Sequence, residues 1–511
     1  MPLLGNLIKK GIGLRHRLQL SRGSEEEKQQ QELRKLLRKA QLTLFGQTYR
    51  FQEIATSTNM INKFRRTVPV HDYNKLFSQW WNKCLHGEPD VCWPGRVRYF
   101  ALSSGTSESS SKHIPVTRDM VRAIQKAAIR QIISLANYEV KEEIFEKGIL
   151  MLGGSTHLHQ NGSYFEGDLS GITASQIPFW FQHFYKPGKK ISRTRDWNAK
   201  LDEITRKAPQ WDIGVIAGVP AWIQLLLERI LDYYGVPHIH CIWPNLSIYC
   251  HGGVSFEPYR KSFDALLGRP LIYIETYLAS EGFIAYQAEP DSPMRLITDN
   301  GIFFEFIPFN SDNFTADGDL KTHPQTLTLT EVEENTDYAL LLSTCAGAWR
   351  YLIGDTIRFI NKKKCEIVIT GRTRHFLSLC GEHLSVDNMN KAIEWVAQEL
   401  NIHINEFTVC GIPYQNLFAH KWYIGTDAPV DGHLLKELLD EKLKILNDDY
   451  RVERTSALKE ILVEIVPLPL FYEYLAFKGK LGAQNKFPRV MKSPQAEEWE
   501  QFIKNRISPT G

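Results

Sequence analysis

The sequence predicts an α/β protein in two parts. Residues 1–371 form a large domain of sheets flanked by helices with a β-rich closing section, and residues 372–511 form a small α+β domain. Three observations carry this expectation. Between Val97 and Ile274, short apolar runs of strand length alternate with runs whose apolar residues recur at helical spacing, the wiring of a sheet with crossover helices. From Met294 the rhythm changes to strand, turn, strand. After Arg372 a helix, two strands, a second helix and a further strand follow in a short stretch. A chain of 511 residues also exceeds the ~250–300 residues at which a single core stops growing, so more than one unit is required.

Taken in order, Ser24-Glu25-Glu26-Glu27 is a capping-box pattern. It opens a helix carrying Leu33, Leu36, Leu37, Ala40 and Leu44 on one face and ending near Gly46. Strands are expected over Val97–Leu102 and His113–Thr117, after which Thr117 caps a helix reaching about Ala136. Gly148–Gly154 reads as a strand running into a glycine turn. Trp211–Gly218 is a strand feeding a helix with Pro220 in its first turn and Gly235 past its end. Asn245–Cys250 and Leu271–Ile274 are shorter strands that stop at His251-Gly252-Gly253 and at Glu275–Gly282. Two hairpins are then expected: Met294–Thr298 with Ile302–Pro308 around Asp299-Asn300-Gly301, and Leu327–Glu333 with Tyr338–Thr344 around Glu334–Asp337. Strands Thr356–Ile360 and Glu366–Thr370 lead to Arg372, which reads as the start of a hinge. Beyond it come a helix capped by Ser385, strands Phe407–Ile412 and Lys421–Gly425, a helix over His433–Asn447 and a strand over Ile461–Val466.

Composition narrows the function classes. Hydrophobic residues are 43%, charged residues 23% and aromatics 11%, the balance of a folded soluble protein. Lys plus Arg (61) nearly cancel Asp plus Glu (58), so no global field favours nucleic acid. The eight cysteines are dispersed without a Cys-x-x-Cys pair and read as reduced and buried. No apolar run is long enough to span a membrane, and the N-terminus lacks the apolar stretch of a secretory signal, which makes the cytoplasm the expected compartment. The amphipathic, basic residues 1–20 are expected to pack on the body of the protein, which is expected to be a monomer or weak dimer.

The stretch richest in chemistry is Leu102–Lys112. Ser103, Ser104, Thr106 and Ser107 supply hydroxyl and backbone donors, Gly105 a sharp turn, and Lys112 a nearby cation, which together suit a polyphosphate. The Gly-Lys-Ser/Thr ending of a Walker loop is missing, and the exit reads as a strand. His157-Leu158-His159 has a spacing found in metal sites but shows no third ligand, and reads as a pair of loop histidines. Because ligands of α/β sheets sit outside strand ends, Val219, Trp222, His251 and Gly252 lie where the wall of a ligand pocket is expected. His251 is either a base or a packing residue.

Ser103-Ser104-Gly105-Thr106-Ser107 with Lys112, then Tyr277-Leu278-Ala279-Ser280-Glu281, then Arg350–Asp355, resemble in order and spacing the three nucleotide motifs of the Gretchen Hagen family. These are the plant auxin-conjugating acyl-acid amido synthetases, and the bacterial members resemble this sequence better still. The likeness extends to Thr43–Phe51 and to Gln484-Asn485-Lys486-Phe487-Pro488-Arg489, similar to the family's Gln-x-Lys-x-Pro-Arg. Two departures stand out: Ser109 where the plant pattern has glycine, and Leu352 where it commonly has a basic residue.

The resemblance implies an adenylate-forming fold with a mobile C-terminal domain. It also implies ATP and Mg²⁺ as cofactors, and a small carboxylic acid and an amino acid as substrates. It implies the following roles. Ser103–Ser107 and Lys112 hold the β- and γ-phosphates, and Glu281 ligates Mg²⁺. Tyr277 lies against the adenine, Asp355 accepts from the ribose hydroxyls, and Arg372 reaches the ribose or defines the swivel. Lys486 is brought to the α-phosphate during adenylation. A thioester-forming acyl-CoA ligase shares the first half-reaction, but the lysine there usually follows glycine, whereas Lys486 follows Asn485. A non-catalytic acyl or nucleotide sensor has no use for such a lysine.

Overall fold

In a computed structural model, the residues described are 23–103, 112–178, 181–253, 256–315, 318–373, 376–377, 379–380, 382, 384–404, 406–426, 428–478 and 487–507. Two compact units divide between residues 374 and 375.

The first long helix, α1 (Glu25–Ala40), begins with a complete capping box. The Ser24 hydroxyl accepts from the Glu27 amide, and the Glu27 carboxylate accepts from the Ser24 amide. Leu33, Leu36, Leu37 and Ala40 form its buried face. It ends at Ala40, short of Gly46: the Thr43 hydroxyl donates to the Ala40 carbonyl and accepts from the Gly46 amide, starting a separate turn of helix. Leu44 therefore leaves the apolar face and is 41% exposed. Ser24→Ala removes the capping hydroxyl and is expected to cost about 1 kcal/mol in denaturant unfolding. An unchanged midpoint would show the box to be idle.

The strands of this unit, in chain order, are β1 (Tyr99–Ser103), β2 (Lys112–Val116), β3 (Gly148–Met151), β4 (His159–Asn161), β5 (Tyr164–Gly167), β6 (Tyr185–Lys186), β7 (Ile213–Gly218) and β8 (Ile248–Gly252). They continue with β9 (Ile272–Ala279), β10 (Gly282–Gln287), β11 (Met294–Leu296), β12 (Ile302–Pro308), β13 (Asp337–Thr344), β14 (Tyr351–Asn361) and β15 (Glu366–Arg372). A four-stranded sheet has the order β2-β1-β5-β4, and an eleven-stranded sheet the order β12-β13-β14-β15-β11-β10-β9-β8-β7-β3-β6. From β6 to β9 the large sheet is parallel, with crossovers that include α3 (Trp197–Lys207) and α4 (Pro220–Tyr234). From β9 to β12 it is antiparallel. Helix α2 (Arg118–Ser134), capped by the Thr117 hydroxyl, covers β10.

Neither expected hairpin forms. β11 pairs with β10 and β15, whereas β12 lies at the far edge beside β13. The Asp299-Asn300-Gly301 segment is instead a crossing connection pinned from outside. Arg130 forks onto Asp299, Asn300 donates to the Ala123 carbonyl, and the Gly301 amide donates to Glu32 of α1. Gln29 of α1 also donates to the carbonyls of Thr298 and Ile302. Leu327–Glu333 makes a single bridge, Leu327 to Phe306, because Thr328 and Glu331 close a local turn.

The small unit contains the short pair β16 (Phe376–Leu377) and β17 (Leu384–Ser385), then α5 (Val386–Leu400), β18 (Glu406–Tyr414), β19 (Leu417–Gly425), α6 (Gly432–Leu446) and β20 (Leu458–Val466). After these come α7 (Leu468–Phe477), β21 (Val490–Met491) and α8 (Gln495–Ile507), and the sheet order is β20-β19-β18-β21. Phe471, Tyr474, Trp499 and Phe502 bring α7 and α8 together in an aromatic core. A buried ion pair orders the entrance to this unit: Glu382 accepts from His420 at 2.8 Å and from the Leu379 and Cys380 amides. Burial works against that carboxylate, but the His420 bond and charge and the backbone donors outweigh it and hold its pKa down at about 2.

The cysteines are all free, six of them buried; Cys250 is half-buried and Cys241 exposed, against the expectation of burial throughout. Among the described residues no helix is long and apolar enough to cross a membrane.

Candidate active site

A charged cluster is built at one end of the antiparallel strands. Gly354, at φ +96°, turns β14 just before Asp355, and its carbonyl accepts from the Thr373 amide. Asp355 and Arg372 face each other across β14 and β15, so their side chains share one face of the sheet. The Arg372 Nε donates to Asp355 Oδ1 at 2.8 Å, and the Tyr277 hydroxyl of β9 donates to Oδ2. In a flat sheet β9 and β14 stand four strand spacings apart, about 19 Å. Because β11 is three residues long and meets β15 only at Glu366 and Ile367, the sheet is free to curl above it, and these two strand ends meet.

Arg372 thus closes β15 of the large unit, where its cross-strand pairing with Asp355 holds it, and does not begin the small one. β9 runs beyond Ile274, the expected end of the strand, to Ala279, and Ser280-Glu281 form a two-residue turn into β10. Glu281 is 7% exposed. Burial pushes its carboxyl up to about 7, the Lys112 ammonium pulls it back, and the charge of Asp355 adds to the rise. Lys112 is the first residue of β2, with its ammonium 5.4 Å from the Tyr73 ring centroid. The Tyr73 hydroxyl accepts from the next amide, His113. Nothing in the sequence singled out Tyr73.

Other expected residues fall elsewhere. Ser103 is the last residue of β1, while Ser104, Gly105, Thr106, Ser107, Ser109 and Lys486 lie outside the described residues. Phe487, which follows Lys486, is buried against Phe471, Tyr474 and Trp499. Arg489 binds Glu406 at 2.6 Å and lies over the Phe407 ring, and its carbonyl accepts from the Val409 amide. Arg350 is a core residue: it forks onto Glu305 with two bonds of 2.9 Å and donates to the carbonyls of Arg65 and Val68. Leu352 packs against the cluster of Ile307, Phe314, Ala339 and Leu341.

The acyl-pocket candidates gather where the parallel strands β7 and β8 end. Val219 occupies the N-cap of α4, and Trp222 in its first turn packs on Trp197 of α3 with ring centroids 5.0 Å apart. His251 lies within β8 and not in a loop beyond it. Its ring stacks on Phe256 at 4.7 Å and neighbours Tyr249 and Tyr273. Gly252 has no room for a side chain, since a Cβ there would come within 2.2 Å of the Thr276 carbonyl oxygen. His159 contacts Glu166 Oε1 at 3.1 Å, and His113 contacts Oε2 of the same carboxylate at 3.0 Å.

Three sequence models of the GH3 family match in order along the chain: the N-terminal domain over residues 15–201, the central domain over 295–372 and the C-terminal domain over 387–495. The chain belongs to the GH3 family. Relatives in that family include the jasmonoyl–L-amino acid synthetase JAR4 of Nicotiana attenuata, 26% identical over 284 residues, which are 52% of this chain and 47% of the relative. The indole-3-acetic acid-amido synthetase GH3.8 of Oryza sativa subsp. indica is 24% identical over 303 residues, 54% of this chain and 49% of the relative. The chain spans about half the length of the curated relatives it matches.

Among solved structures, GH3.15 acyl acid amido synthetase superposes with a TM-score of 0.56 at 16% identity, over 94% of this chain and 93% of that one. A 2-hydroxyisobutyryl-CoA ligase in its thioesterification state gives 0.58 at 11% identity, over 93% and 91%. The fold is therefore that of the adenylate-forming enzymes, shared by an amide-forming and a thioester-forming member. Within the GH3 framework Lys112 falls in the N-terminal domain and Asp355 and Arg372 in the central domain. Tyr277 and Glu281 lie between the two matched stretches.

Proposed function

We propose that this GH3-family chain activates a small carboxylic acid with ATP and then joins it to the amine of an amino acid. In the first step a carboxylate oxygen attacks the α-phosphorus and pyrophosphate leaves. In the second the amine nitrogen attacks the acyl carbon, AMP leaves and the amine sheds a proton. The observation that carries this reading is the Tyr277–Asp355–Arg372 cluster beside Glu281 and Lys112, where a carboxylate acceptor, a second carboxylate and two cations meet at strand ends. The first step asks for stabilisation of accumulating negative charge more than for proton transfer.

On this reading Asp355 and Arg372 take the ribose, Lys112 with the Ser103–Ser107 loop takes the β- and γ-phosphates, and Lys486 serves the α-phosphate. Val219, Trp222, His251 and Gly252 line the acid. Glu281 suits Mg²⁺: it is a buried carboxylate whose ionised form the protein compensates only in part. Mg²⁺ takes one or two carboxylates and completes its shell with phosphate and water, a demand that a single buried glutamate beside a nucleotide meets. Bound there, Mg²⁺ would offset charge on the phosphates. The names of the GH3 relatives favour an amino acid as acceptor, and the aromatic surroundings of His251 make it part of the pocket wall.

ATP–pyrophosphate exchange across a panel of carboxylic acids, followed by mass spectrometry with an amino-acid mixture and with CoA, tests the proposal. The expected result is exchange with at least one acid and an amide product. A thioester with no amide would replace the second step, and no exchange despite tight ATP binding would reduce the protein to a sensor.

A further inference from the structure

We infer that the Tyr277 hydroxyl serves the nucleotide site by aiming the Asp355 carboxylate; this rests on the nucleotide reading proposed above. Tyr277 is 6% exposed, and its ring belongs to the main core of the large unit. Its hydroxyl donates to Asp355 Oδ2 while Arg372 holds Oδ1. The carboxylate is thus gripped on both oxygens by groups from β9 and β15.

The donor and acceptor count supports the assignment. An ionised carboxylate offers about four lone-pair positions, and the two protein bonds leave about one free on each oxygen, enough for the two hydroxyls of a ribose. A carboxylate already fixed in rotamer meets the sugar without the cost of ordering it. The phenol keeps its proton for this purpose. Burial first, and then the neighbouring Asp355 charge, push its ionisation well above the ordinary tyrosine value. Tyr277 is accordingly a positioning residue whose effect reaches the nucleotide through Asp355.

Tyr277→Phe in the full chain isolates the hydroxyl, because phenylalanine keeps the ring and loses only that group. In ATP–pyrophosphate exchange the variant is expected to raise KM for ATP about 10-fold, with kcat within about 3-fold, since a hydrogen bond to a charged group is being lost. The preference of the enzyme for ATP over 3′-deoxy-ATP is expected to shrink by a similar factor. In an Asp355→Asn background the same change is expected to add nothing further to either quantity. The preference ratio is read at a temperature where both proteins are folded, so a lowered Tm does not blur it. An unchanged KM and an unchanged preference in Tyr277→Phe would overturn the positioning role and leave the ligase reading standing. Absence of exchange with every acid in the unmodified chain would overturn both.

Discussion

Lys486→Ala is expected to slow acyl-AMP formation by about 10²–10³-fold while leaving ATP affinity within a few-fold of the unmodified chain. The estimate follows from the charge that builds on the α-phosphate and leaving pyrophosphate, where loss of one well-placed donor costs about that much. What makes a lysine at this point in the chain suitable is its attachment. Phe487 is locked into the aromatic core of α7 and α8, and Arg489 is tied to Glu406 and to the backbone of β18. Single-turnover formation of acyl-AMP, measured beside equilibrium ATP binding, checks both halves. Ordinary exchange in the variant would remove Lys486 from the reaction, and a matching loss of ATP binding would make it a binding residue only.

What the sequence disclosed about this region, and what it withheld, have physical reasons. Motif order was legible because the loops at strand ends are short and carry unusual combinations of hydroxyl, glycine and charge. The extent of β9 was not. Its apolar signal stops at Ile274, while Glu275 and Thr276 continue the strand as half-buried polar residues and Tyr277 returns to the core. The partnership of Tyr277 with Asp355 spans 78 positions and depends on the curl of the sheet above the three-residue β11, which no local pattern encodes. Arg350 shows the opposite failure. It opens the third nucleotide-like motif, yet the carboxylate of Glu305 and the backbone carbonyls of Arg65 and Val68 engage its donors inside the core. The hairpin expected at Asp299-Asn300-Gly301 failed for a related reason. A good turn sequence was available, but Gln29 and Glu32 of α1 claimed the backbone that a hairpin would have paired.

Glu281→Gln is expected to slow exchange about 10²-fold and, without nucleotide, to stabilise the protein above neutral pH. The carboxyl titrates near 7 in the folded chain against an ordinary value of 4.5, with burial as the main cause. Between those values the folded state holds a proton that the unfolded chain has released, so stability falls as pH rises through that window. Below about pH 4.5 the side chain is neutral in both states and costs nothing of this kind. Above about pH 7 the full penalty, roughly 3 kcal/mol, is present. Glutamine keeps the shape and carries no charge. The variant is therefore expected to melt several degrees higher than the unmodified chain at pH 8, with little difference at pH 4.5. Adding Mg²⁺ and ATP is expected to reverse the order at pH 8, because only the carboxylate gains from a cation. Equal melting temperatures at pH 8 without ligand would show that the protein already compensates this charge, and Glu281 would lose its claim to the metal.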